Sequence, residues 1–225
     1  GLVCGISALY FTRTMNAFEG VFASFKNYLA RYALGAAVLA LLIFLFPPLY
    51  GEGYNVVGIL IGNEGAAEPT SVLNNSIFYG HNNYLLLFIA LVALVKVFAS
   101  TATTGGGGCG GTFAPSIFLG CLTGYVFAGL WNQIQPFGLA MPTTNACLYG
   151  MAAVMSAVFH APLTGVFLIA ELTGSYQLLV PLMIVSSVSY ITVRSIEPHS
   201  IYAMRLARQG HLLSHHKDQS VIALM

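Results

Sequence analysis

The chain has 225 residues, 57% hydrophobic and only 7% charged, with a formal net charge of +1 and a mean hydropathy of +0.78. Soluble domains carry about a quarter charged residues, so the solvent this composition expects is lipid, and the chain reads as an all-α polytopic membrane protein. A near-neutral charge without a long basic run gives nucleic acid no footing.

Gly1–Ala17 is apolar, rich in small residues and long enough for most of a crossing. A short loop holding Arg13, Glu19, Lys26 and Arg31 is expected next, then a second apolar run, Tyr32–Phe46, stopped by Pro47 and Pro48. Leu49–Asn83 is glycine-rich and holds Glu52, Glu64 and Glu68 but no Lys or Arg. Its Val56–Ile61 piece is too short to span a bilayer. Tyr84–Ser100 reads as a third helix, with Lys96 near its end; a snorkelling role at the interface is expected there ahead of attraction for a permeating anion. A glycine turn and a further helix run to about Trp131, where Tyr125 and Trp131 suit an interfacial belt. Asn132–Thr144, with Pro136 and Pro142, is a loop; Ala146–Ala170 is apolar but broken by Pro162; Leu178–Val193 is the last long apolar run.

Several runs fall short of the ~20 residues a straight crossing needs. Short segments broken by Gly or Pro predict tilted, discontinuous helices that meet inside the membrane. Arg194, Arg205, Arg208 and Lys217, with Arg13, Lys26 and Arg31, place the C-terminus and the first loop in the cytoplasm, and the acidic Leu49–Asn83 region mostly outside. The chain opens on Gly1 within an apolar segment and ends on Ser220–Met225, so a fragment is expected. The cysteines Cys4, Cys109, Cys121 and Cys147 lack CxxC or Cys/His spacing and are expected to be small buried residues rather than metal ligands.

Chemistry concentrates at Thr103–Gly120. Gly105–Gly108, Gly110 and Gly111 lead into an apolar helix with Pro115 near its start, and no charged residue occurs between Lys96 and Glu171. Glycine lets a group approach bare backbone, and proline fits a first helical turn. Unpaired N–H groups and the positive end of the helix dipole favour an anion there.

At Gly111–Pro115 the residues read GTFAP, which resembles the GxFxP signature of the CLC family of chloride channels and proton-coupled chloride transporters. HAPLTGVFLIAELTGSYQLLVPLMI (His160–Ile184) is similar to that family's late paired helices, and EPHSIYAMRLARQG (Glu197–Gly210) to its last membrane helix. The resemblance implies the second half of an inverted repeat. Residues 1–213 would be the C-terminal half of the transmembrane domain, and residues 214–225 a cytoplasmic tail leading toward CBS domains. It implies an anion held by the amides of Thr112 and Phe113 and by the Tyr202 hydroxyl, with Gly110, Gly111, Ala114 and Pro115 lining or supporting the pore. It also implies chloride as the transported ligand, protons as a coupled partner in some members, no cofactor, a plasma-membrane location, and a homodimer joined through helices corresponding to Gly1–Ala17 and His160–Val193. A serine-bearing glycine motif and a GxEGP-type segment, carrying the gating and proton glutamates, would lie upstream. Cys109 stands where members often have proline, and Thr112 where a branched aliphatic residue is common; neither change removes an N–H donor.

Independently of the resemblance, Pro198 and Ser200 sit where a helix would begin and Tyr202 falls in its first turn. A phenol is a neutral donor suited to an anion that must also leave. Glu171 is an intramembrane carboxylate, read as structural ahead of a proton-path role; His160 reads as a polar helix end, and His215 and His216 as solvated tail. A cation-coupled transporter of another fold would coordinate its ion with carboxylates, whereas Asp218 in the tail is the only aspartate. A phosphate-cradling enzyme would need the GK[ST] of a P-loop, which the glycine stretch lacks. No catalytic constellation with sensible spacing is present, so no enzyme is expected.

Overall fold

The computed structural model describes residues 1–208 apart from 26, 63–66, 75, 77, 81, 136–137 and 175. Lys26, Glu64, Pro136 and the tail with His215, His216, Lys217 and Asp218 lie outside the described residues. The described residues form α-helices and short 3-10 turns: α1 (Leu2–Ala23), α2 (Tyr28–Leu45), α3 (Tyr54–Ile61), α4 (Leu85–Gly105), α5 (Phe113–Ile134), α6 (Thr143–Phe159), α7 (Pro162–Thr173), α8 (Leu179–Arg194) and α9 (Ile201–Arg208). Among the described residues only α2, α4 and α5 combine the length and apolar composition of a bilayer crossing; α6, α7 and α8 are shorter apolar helices.

α6 is the centre of the bundle. It packs on α5, α7, α8, α1 and α3, and none of its residues is exposed. A helix apolar on every side has no face for water or lipid and belongs in the middle. Its last residue is followed by His160 in the left-handed conformation (φ 56°), which turns the chain so that Pro162 can open α7. The expected break within Ala146–Ala170 therefore falls at His160–Ala161, and His160 is the helix-end residue expected, its ring edge-on to Tyr190 at 5.5 Å. α2 is the opposite case: mean hydropathy is high, yet Gly35 is its only buried residue, so these helices leave almost all of its apolar surface uncovered.

Two expectations about helix length are corrected. Arg13 and Glu19 lie within α1 and Arg31 within α2, so the loop is confined to a few residues around Phe25. α4 continues past the expected end at Ser100, through Thr103, Thr104 and Gly105. The Ser100, Thr101, Thr103 and Thr104 hydroxyls each donate to the carbonyl four residues back, at 2.7–3.2 Å, so these side chains satisfy themselves inside the helix. The glycine run then closes α4: the Gly106 and Gly108 N–H groups donate to the Ala102 and Thr103 carbonyls at 3.0 and 2.9 Å, and Gly107 takes φ 97°. α3 has eight residues, between Gly53 (φ 90°) and Gly62 (φ 74°), and is too short to cross anything, as its sequence implies.

The belt and cysteine readings change in part. Trp131 donates its indole N–H to the Leu139 carbonyl at 3.1 Å, near the end of α5, whereas Tyr125 is a core residue. Cys4, Cys121 and Cys147 are buried as expected; Cys109 is exposed in the glycine turn.

Candidate functional site

α5 begins where the glycine turn ends. Thr112 is the N-cap, Phe113 and Ala114 open the helix, and Pro115 completes its first turn. The ladder starts only with the Ser116 N–H, which donates to the Thr112 carbonyl at 3.1 Å. The amides before it belong to the unpaired set that every helix start carries. Thr112 contributes no side-chain cap, because its hydroxyl is engaged elsewhere.

That engagement joins the two distant pieces of the site. Across 90 residues, the Thr112 hydroxyl donates to the Tyr202 phenol oxygen at 2.8 Å. The Tyr202 ring stacks 5.5 Å from Phe159, which lies 6.1 Å from Phe113, so an aromatic column at the end of α6 sits between α5 and α9. With Thr112 as donor, the phenol's own O–H remains available for another acceptor. Thr112 is buried, but Phe113 and Tyr202 are about 40–50% exposed (41% and 47%), and Gly110 and Gly111 are exposed backbone. The arrangement therefore presents neutral donors, main-chain amides and one phenol, on an open face. The sequence treated Thr112 only as an amide; a hydroxyl where branched aliphatic residues are common was the available signal for its second role.

A cavity of about 530 Å³ adjoins this helix start, and Gly110, Gly111, Ala114 and Pro115 line it together with Lys96 and Glu52. Lys96 does not snorkel. It is 3% exposed, donates to the Gly51 carbonyl at 3.1 Å and more weakly to that of Leu49 at 3.4 Å, and lies 4.7 Å over the Phe118 ring. It clamps the turn after α2 onto α4 and α5. Lys96→Met removes the tie to both carbonyls and leaves the one on buried Leu49 without this donor, and since a buried group left without a partner costs about 1–3 kcal/mol, a lower melting temperature is expected in a detergent thermal scan. Glu171 is exposed on α7, where its carboxylate accepts from the Tyr176 hydroxyl. Its partner is a side chain five residues on, past the end of α7. No group of three or more His, Cys, Asp or Glu residues placed to hold a metal occurs among the described residues.

Apolar helices, three of them long enough to cross a bilayer and others broken by glycine or proline around one buried helix, define an integral membrane protein. Comparison with known proteins gives the family. The family model described as voltage-gated chloride channel matches residues 1–194, and the chain belongs to that family, the CLC family. It is 31% identical to the ClcB-like chloride channel protein of Ralstonia nicotianae over 209 residues, 92% of this chain and 44% of the relative. It is 32% identical to the voltage-gated ClC-type chloride channel ClcB of Escherichia coli strains UMN026 and SMS-3-5 over 216 residues, 93% of this chain and 46% of the relative. The chain thus spans less than half the length of the curated relatives it matches.

Proposed function

We propose that the protein moves chloride across a membrane, as a channel or a proton-coupled antiporter, and that this chain supplies one side of the anion path. Residues 1–213 act as the C-terminal half of a CLC-type transmembrane domain, and residues 214–225 as a cytoplasmic tail. The anion is held by the Thr112 and Phe113 amides and the Tyr202 hydroxyl; Gly110, Gly111, Ala114 and Pro115 shape the approach. The reading includes a homodimer in the plasma membrane and no enzymatic activity or cofactor. The observation that carries it is the 2.8 Å contact between Thr112 and Tyr202 at the start of α5. It gathers uncharged donors at the positive end of a helix, where an anion is stabilised yet free to leave.

The test is reconstitution of the full-length native protein into vesicles carrying an ion gradient. Chloride efflux without sodium or potassium flux is expected. Tyr202→Leu is expected to raise the chloride Kd about 10- to 100-fold, the worth of one hydrogen bond to a charged partner. Sodium-dependent transport, or chloride binding indifferent both to Tyr202→Leu and to disruption of the Gly111–Phe113 backbone, overturns the reading.

A further inference from the structure

Tyr202 rides on a helix of eight residues whose only buried described side chain is Ile201. Apolar packing of that extent is a weak restraint on a phenol that has to meet Thr112 at hydrogen-bond distance. A polar stripe on α1 supplies the restraint. Arg13, Asn16 and Glu19 are spaced three apart and so share one face of that helix. Each reaches the α9 region. The Arg13 Nε donates to Glu197 Oε1 at 2.8 Å, ahead of α9. The Asn16 Nδ2 lies 3.0 Å from Met204 Sδ, and Glu19 Oε1 accepts from the Arg205 Nη2 at 2.5 Å. The same Glu19 oxygen is 3.5 Å from the Thr104 hydroxyl, in the last turn of α4 before the glycine run. Arg205 in turn lies 5.9 Å over the Tyr202 ring. Glu19 thus holds the helix that carries the phenol through Arg205, with the end of α4 at the edge of its reach.

We infer that Glu19, flanked by Arg13 and Asn16, is a positioning residue for Tyr202, holding α9 so that the phenol stands beside the α5 N-terminus. The inference rests on the anion site proposed above and deepens it. The Glu19 and Arg205 side chains are 25% and 30% exposed, so the pair is half-shielded, and its value lies in geometry more than in stability. A group that acts only through another residue has no effect once that residue's contribution is removed, and this separates positioning from general support of the fold.

The experiment is chloride titration calorimetry on the full-length protein as wild type, Glu19→Gln, Tyr202→Phe, the double variant, and the charge exchange Glu19→Arg with Arg205→Glu. Thermal melts identify the variants that fold. Glu19→Gln is expected to raise the Kd roughly 3- to 10-fold, a coupling typical of contacting residues. The charge exchange is expected to recover most of that loss, and Glu19→Gln to add nothing in the Tyr202→Phe background. Asn16→Leu, which loosens α9 without stranding a charge, is the second probe if Glu19→Gln does not fold, with the same expected dependence on Tyr202. A Kd raised by Tyr202→Phe but unmoved by the α1 variants overturns the positioning role alone, as does full additivity. A Kd unmoved by Tyr202→Phe overturns the site and the positioning role with it.

Discussion

Replacing Gly150 with leucine is expected to abolish the folded protein. α5 and α6 make the most extensive contact in the bundle, and glycines face each other across it. A Cβ on Gly150 would run into the Gly120 carbonyl and crowd the Gly124 nitrogen. One on Gly120 would meet the Gly150 carbonyl and Met151 Cα, and one on Gly124 the Ala146 carbonyl. All of these obstacles are main chain, so no rotamer change relieves them. In a membrane, where burial of apolar surface contributes little to helix association, close backbone approach at small residues carries the packing. A single methyl at such a site costs about 1–3 kcal/mol or more, so Gly150→Ala lowers the melting temperature and Gly150→Leu removes the monodisperse species in size-exclusion chromatography. Gly20→Ala is the control: it lies inside α1 with nothing within 4 Å of its added carbon, so its melt should equal or slightly exceed wild type, alanine being the better helix former.

Features carried by glycine and proline were legible because their constraints are local. The short α3, the opening of α5 at GTFAP, the break before Pro162 and the start of α9 near Tyr202 all follow from residues within a few positions of the event. What escaped depends on partners far along the chain. Arg13 and Glu19 looked like loop residues because charge in an apolar run signals an end; they stay helical because Glu197 and Arg205, more than 180 residues away, neutralise them. Lys96 looked interfacial because it lies near the end of an apolar run; its acceptors are the Leu49 and Gly51 carbonyls, more than 40 residues back. Polar residues three apart, as at Arg13, Asn16 and Glu19, are the one sequence sign of the polar seam between α1 and the α9 region. The same holds for the site. The anion-favouring helix start was readable from composition, but the hydroxyl bond that brings Tyr202 to it is a property of the folded chain.

Thr112→Pro is expected to weaken chloride binding by about 10- to 100-fold, the loss of one hydrogen bond to a charged partner at ~1.5–3 kcal/mol. The substitution suits the backbone. Thr112 has φ −90°, close to what the ring imposes, and the preceding residue is Gly111, the type least hindered ahead of proline. The Ser116 N–H keeps its acceptor, since the carbonyl at 112 is retained. What disappears is the amide N–H, with ring carbon where an anion would have approached, and the hydroxyl that meets Tyr202. Thr112→Val separates these contributions, because it keeps the amide and removes only the hydroxyl. A neutral hydrogen bond is worth about 1 kcal/mol, so Thr112→Val should raise the Kd only severalfold, acting through a less well held Tyr202. Calorimetric titration of both variants gives the order. A proline variant clearly weaker than the valine variant assigns the anion to the main chain; equal losses assign the effect to the hydroxyl and remove the Thr112 amide from the site.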